Sequence, residues 1–184
     1  MNNTRELKDK FEKLKARSLK KDASIYGTDL WGKWHNLAVR QYEPAKEFFI
    51  ERLHDVRPDW RRASVSLLGF HYELEDHILE IIRNLLINDA DPGVRISAAS
   101  VLGSQGRFLE NSLVNALVHD PDPFVRRSAF SALLDLAGVP YKVKLEEEDN
   151  IRSKKITPSL DQVKRILHEQ NLLTKISLLE EWKG

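Results

Sequence analysis

The chain has 184 residues, with 29 Lys and Arg against 28 Asp and Glu, so no global field draws it to nucleic acid or to an anionic membrane. It contains no cysteine, which excludes disulfides, thiolate catalysis and the cysteine-based structural zinc sites. The charge is uneven, however: residues 1–21 carry eight Lys and Arg against three acids, and the remainder 21 against 25.

From the start of the chain, Thr4 to Lys21 predicts an amphipathic helix with a narrow stripe of Leu7, Phe11 and Leu14. Its basic face is either a solvated surface or a contact for an anionic partner. The segment has no apolar run of the length a secretory signal needs. The most apolar stretch, His77 to Ile87, is interrupted by Glu80, Arg83 and Asn84 and is far short of a membrane span. The expectation is a cytoplasmic protein with no membrane partner. Thr28 predicts the cap of a second helix carrying Leu30, Trp31, Trp34, Leu37 and Ala38 and running to about Tyr42. Pro44 restarts the chain. Residues 1–43 are thus expected to be N-terminal capping helices, with the tryptophans in the cap rather than stacked on a ligand.

The middle of the chain repeats one phrase, Asp-x-x-Pro-x-(Val or Trp)-Arg. The copies run Asp55 to Arg61, Asp89 to Arg95 and Asp120 to Arg126, and their prolines, Pro58, Pro92 and Pro123, are 34 and 31 residues apart. That period is the spacing of stacked helix pairs. Asp91 and Asp122 stand just before their prolines and predict capped helix starts, whereas Arg57 takes that place in the first copy. Trp60, Val94 and Val125 lie two after the proline and Leu68, Leu102 and Leu133 ten after it, with Ser64, Ala98 and Ala129 between them. They mark the buried face of each second helix. Phe48 and Leu53, Ile82 and Ile87, and Leu113 and Val118 mark the first helices. Gly69, Gly103 and Gly138 are expected to end the second ones.

These units, over residues 44–138, resemble HEAT repeats of the short kind known from phycobilisome lyases, most closely at Asp120-Pro121-Asp122-Pro123-Phe124-Val125-Arg126-Arg127-Ser128-Ala129. The resemblance implies an all-α fold, a right-handed α-solenoid of helical hairpins with capping helices at both ends. It also implies a structural ladder of ion pairs between successive repeats, in which Asp55, Asp89 and Asp120 pair with Arg61, Arg95 and Arg126.

Beyond Gly138, Tyr141, Val143 and Leu145 alternate with lysines ahead of the acidic run Glu146–Asp149, which predicts a loop or small hairpin over 139–156. Thr157 and Pro158 predict the start of a helix with Leu160, Val163, Ile166 and Leu167 on one side. A last helix is expected from about Leu172 to Trp182. Residues 139–184 are then a linker and a C-terminal cap.

The sequence offers no chemistry. His54 and His119 hold equivalent repeat positions at helix ends, and His71 and His77 lie six apart, not at metal-ligand spacing. No phosphate-binding glycine loop or nucleophile elbow occurs. The expectation is no catalytic residue, no cofactor and no metal. The second helices of a stack line its inner surface. The positions there that face neither core nor neighbour are Asp59, Arg62, Ala63, Ser66 and Phe70, then Gly93, Ile96, Ser97, Ser100 and Ser104, then Phe124, Arg127, Ser128, Ser131 and Asp135. Phe70, Ile96 and Phe124, flanked by Arg62 and Arg127, have the character of binding hot spots.

The leading expectation is a non-enzymatic protein that grips a partner protein on this face, as adaptor, assembly factor or inhibitor such as an immunity protein. A second reading is nucleic-acid binding, since some HEAT-like proteins repair alkylated DNA. A third, from the resemblance alone, is a bilin lyase or chromophore chaperone.

Overall fold

The computed structural model describes residues 2–26, 29–106, 111–172, 174, 175 and 179. Over them the chain is all-α, with ten helices and no strand. It divides into two compact units, Met1–Leu74 and Glu75–Gly184.

The first unit holds α1 (Asn2–Ser18), α2 (Leu30–Val39), α3 (Glu43–Arg52) and α4 (Pro58–His71). Its core is aromatic. Trp34 stacks on Phe48 at 4.5 Å, meets Phe49 and Phe11 edge-on, and Phe48 meets Trp60 edge-on at 6.0 Å. Both buried indoles place their N–H: Trp34 Nε1 donates to Ser18 Oγ at 2.9 Å and Trp60 Nε1 to the Ala23 carbonyl at 2.8 Å. That satisfaction is what lets tryptophan sit in a core without a desolvation penalty. The two tryptophans of α2 part company here, because Trp34 is fully buried whereas Trp31, three residues earlier on the helix, is only half-buried. The expected Thr28 cap lies outside the described residues.

The second unit holds α5 (Asp76–Asn88), α6 (Pro92–Gln105), α7 (Asn111–His119), α8 (Pro123–Ala137), α9 (Tyr141–Lys154) and α10 (Leu160–Glu169). Helices α6 and α8 start as the sequence predicts. Asp91 accepts from Val94 N at 3.1 Å, and Asp122 from Phe124 N at 2.7 Å and Val125 N at 3.3 Å. Ile78, Ile82 and Leu86 of α5 are fully buried against α6 and α7, and Val163, Ile166 and Leu167 of α10 against α7 and α8.

Four expectations change. Gly69 and Gly103 do not end their helices; both are buried inside helices that continue two residues further. Gly103 is there for proximity, since a Cβ on it would lie 2.7 Å from Ala132 Cβ of α8. Of these three glycines Gly138 alone acts as a terminator, at φ +79° in the left-handed region, and it ends a helix of 15 residues against 14 for α4 and α6. Residues 141–154 form helix α9 rather than a loop or hairpin. Finally, α10 is capped two residues later than Thr157, by a reciprocal box in which Ser159 Oγ accepts from Gln162 N at 3.2 Å and Gln162 Oε1 from Ser159 N at 3.1 Å. Most of the expected last helix, 172–182, lies outside the described residues.

Candidate partner-binding surface

The repeated phrase closes on itself in the same way three times. Its aspartate side chain accepts from the backbone N–H two residues on: Asp55 from Arg57 N at 3.0 Å, Asp89 from Asp91 N at 2.9 Å and Asp120 from Asp122 N at 2.9 Å. Its arginine, six residues on, donates to that aspartate's own carbonyl: Arg61 to Asp55 O at 2.8 Å, Arg95 to Asp89 O at 2.9 Å, and Arg126 to Asp120 O. Each hairpin turn is thereby clipped at both ends, and the entry to the second helix is set before any packing.

The carboxylates of the phrase also take arginine side chains. Asp120 takes the forked guanidinium of Arg95, at 2.8 and 3.0 Å, not that of Arg126. Arg126 spends its reach on the Asp120 carbonyl, and Arg95 of the preceding repeat takes both carboxylate oxygens, one of which also accepts from Asp122 N. In the first copy Arg57 grips Asp55 by two bonds of 2.8 Å, and Arg52 adds a third at 3.1 Å. Arg57 also donates to the carbonyls of Lys20 and Ala23, at 3.1 and 3.0 Å, and so ties the segment after α1 to the turn. This cluster holds the Asp55 carboxyl down at about 2, chiefly through the hydrogen bonds from Arg57.

The face proposed for a partner is unevenly available. In the first unit Asp59 belongs to the fold, accepting from Ser24 Oγ at 2.7 Å and Ile25 N at 3.1 Å. Ala63 is buried, Ser66 half-buried, and Phe70 remains 56% exposed. Arg62 lies 5.7 Å over the ring of Tyr26. That ring continues into a row the sequence reading missed: Tyr26 to Trp31 at 5.4 Å, Trp31 to His35 at 6.2 Å and His35 to His71 at 4.8 Å. Only the i,i+4 pair Trp31 and His35 was visible as a sequence signal. Burial, and then the nearness of His35, push the His71 imidazole below its ordinary value.

In the second unit Ser97 is buried, Ile96 half-buried and Ser100 exposed, its hydroxyl donating to Ile96 O at 3.1 Å. Phe124 is 59% exposed, with the Arg127 guanidinium 5.5 Å above its ring. Arg127 Nε is buried and has no hydrogen-bond acceptor among the described residues. Two further positions already have an occupant in the chain itself. Ser131 donates to Glu148 Oε1 at 2.6 Å and Asp135 accepts from Lys144 Nζ at 2.5 Å, so α9 lies along that part of α8.

Residues 46–134 match the family model described as HEAT repeats. The chain is a HEAT-repeat protein. The matched segment takes in the three clipped turns and their flanking helices, which are the repeat units. No curated protein and no solved structure matches the chain. Among the described residues of this HEAT-repeat protein there is no group of three or more His, Asp or Glu able to hold a metal ion, and no helix is long and apolar enough to cross a membrane.

Proposed function

We propose that this HEAT-repeat protein works without catalysis, binding a partner protein through the second-helix face centred on Phe124 and Arg127, as an adaptor, assembly factor or inhibitor. The observation that carries the reading is the Phe124–Arg127 pair: an aromatic ring more than half exposed, with a guanidinium 5.5 Å over its face. Aromatic and arginine side chains are the usual anchors of protein interfaces. A partner carbonyl or carboxylate placed near the guanidinium would gain a charge-assisted bond. Ile96 holds the position of Arg127 one repeat earlier, and with the exposed Ser100 one turn on would extend the contact. With Ser131 and Asp135 engaged by α9, the proposed surface centres on the first two turns of α8.

Affinity capture from the native host with the wild-type chain, Phe124→Ala and Arg127→Glu tests this. The expected result is a protein retained by the wild type and lost from both variants. The stability of Phe124→Ala should change by no more than about 0.5 kcal/mol, as is usual for exposed positions, and that of Arg127→Glu, at a half-buried position, by about 1 kcal/mol. Retention of every captured protein by both variants, or loss of folding in parallel with loss of capture, would overturn the reading.

A further inference from the structure

Helix α9 turns charge toward its neighbours and apolar side chains toward water. Tyr141 is 71% exposed and Leu145, one turn on, 41% exposed, whereas a helix docked by its apolar stripe would bring such residues inward. The seam instead carries Lys144, Glu147 and Glu148. Lys144 Nζ donates to Asp135 at 2.5 Å, Glu148 Oε1 accepts from Ser131 Oγ at 2.6 Å, and Glu147 Oε1 accepts from Arg165 of α10 at 2.9 Å. Ile151 is the one side chain of the helix that is deeply buried. An element held by a few charged bonds and a single apolar anchor has the low local stability of segments that open on their own.

The chain is arranged for such an opening. Left-handed turns flank α9, at Gly138 (φ +79°) before it and Lys155 (φ +53°) after it. The next helix does not depend on it for burial, since Val163, Ile166 and Leu167 anchor α10 against α7 and α8.

What α9 holds is part of the face assigned to a partner. Phe124, Arg127, Ser131 and Asp135 follow one another at steps of three or four along α8 and form one stripe. At 1.5 Å per residue the open pair Phe124 and Arg127 spans about 5 Å of helix, and the whole stripe about 16 Å. A stable interface buries roughly 800 Å² on each side, which two side chains a turn apart do not supply.

We propose that α9 is an autoinhibitory strap on the partner face of α8. Docked, it keeps Ser131 and Asp135 on its own Glu148 and Lys144; lifted about Gly138 and Lys155, it opens the full stripe. Its role rests on the reading of the α8 face as a partner site, but its lifting is measured with no partner present.

The test begins with hydrogen–deuterium exchange of the full chain, read by mass spectrometry. Amides of α9 are expected to exchange at least about tenfold faster than those of α8, as a separately opening segment does. That ratio should widen when ionic strength rises from about 0.05 to about 0.5 M, because the seam is charged. Lys144→Ala with Glu148→Ala removes both bonds to α8 while keeping good helix formers in place. It should speed α9 exchange by a further tenfold, roughly, and leave α5 to α8 unchanged. In affinity capture from the native host, the same double variant should retain the protein that Phe124→Ala loses at about a tenfold lower bait concentration than the wild type needs, its competent fraction no longer being held down. Exchange of α9 in step with α8, or unchanged exchange in the double variant, overturns the strap. Faster exchange with unchanged capture overturns its inhibitory role. Capture of nothing by any variant overturns the partner reading and the inhibition together, and exchange still decides whether α9 lifts.

Discussion

Asp55 has only 4% of its side chain exposed, yet it keeps its charge because Arg57 forks across both of its oxygens and Arg52 adds a bond. The unfolded carboxyl titrates near 3.8 and the folded one at about 2, so folding favours the ionised form. The resulting stabilisation, on the order of 2 kcal/mol, is complete above the unfolded value and is lost as pH falls from there through the folded value. Urea midpoints taken from neutral pH down to about pH 2 should therefore drop more steeply for the wild type than for Asp55→Asn. The variant starts lower and has less to lose, and parallel curves would show that the cluster contributes nothing. Little of this was legible in the chain. The arginine standing where a capping aspartate stands in the other copies looked like a weaker helix start. Its use is instead to bind Asp55 and the carbonyls that follow α1, contacts that join residues more than thirty positions apart.

At the scale of elements, the close packing of α6 on α8 depends on a missing side chain. A Cβ on Gly103 would lie 2.7 Å from Ala132 Cβ and 2.8 Å from its Cα, where the obstacle includes backbone. Alanine would gain up to about 1 kcal/mol of helix propensity over glycine, whereas forcing two helices apart costs about 1–3 kcal/mol. Gly103→Ala is accordingly expected to destabilise the chain by about 1 kcal/mol in urea unfolding; a stabilised variant would mean that the helices part without cost. The period and the apolar stripes of the repeats were plain in the sequence, and so were the Asp91 and Asp122 caps. A glycine near the end of a stripe reads equally as a terminator or as a contact, and only the neighbour across the interface separates the two. Helix α9 was hidden for a related reason. The alternation of Tyr141, Val143 and Leu145 looked extended, but the one residue this helix buries deeply is Ile151. The rest of the helix is held by polar bonds to Ser131, Asp135 and Arg165, which leave no apolar period to read.

Over the molecule, the phrase that recurs at the three turns does two jobs. Within each turn it makes the local clip, and in the second unit it also ties one repeat to the next through Arg95 and Asp120. Removing one partner of so buried a pair leaves the other charge desolvated, so Arg95→Ala should cost about 3–5 kcal/mol. Arg95→Ala with Asp120→Ala should cost distinctly less than the sum of the single changes, by a coupling of about 1–3 kcal/mol in a double-mutant cycle. Additive losses would show that the two groups act separately. The candidate surfaces lie at a different remove from the sequence. Phe124 could be picked out as a side chain a solvated helix face has no use for, with Arg127 flanking it. That α9 engages Ser131 and Asp135 beside them, and that the basic face of α1 joins Lys33 and Arg40 of α2 along one groove, could not. Local order was the sequence's own: hydrogen bonds within each turn and the 3.6-residue period of each helix join residues a few positions apart, so type and spacing suffice to specify them. The pairing of carboxylates, the approach of α6 to α8 and the composition of each exposed face join residues far apart along the chain, and they exist only once the helices have packed.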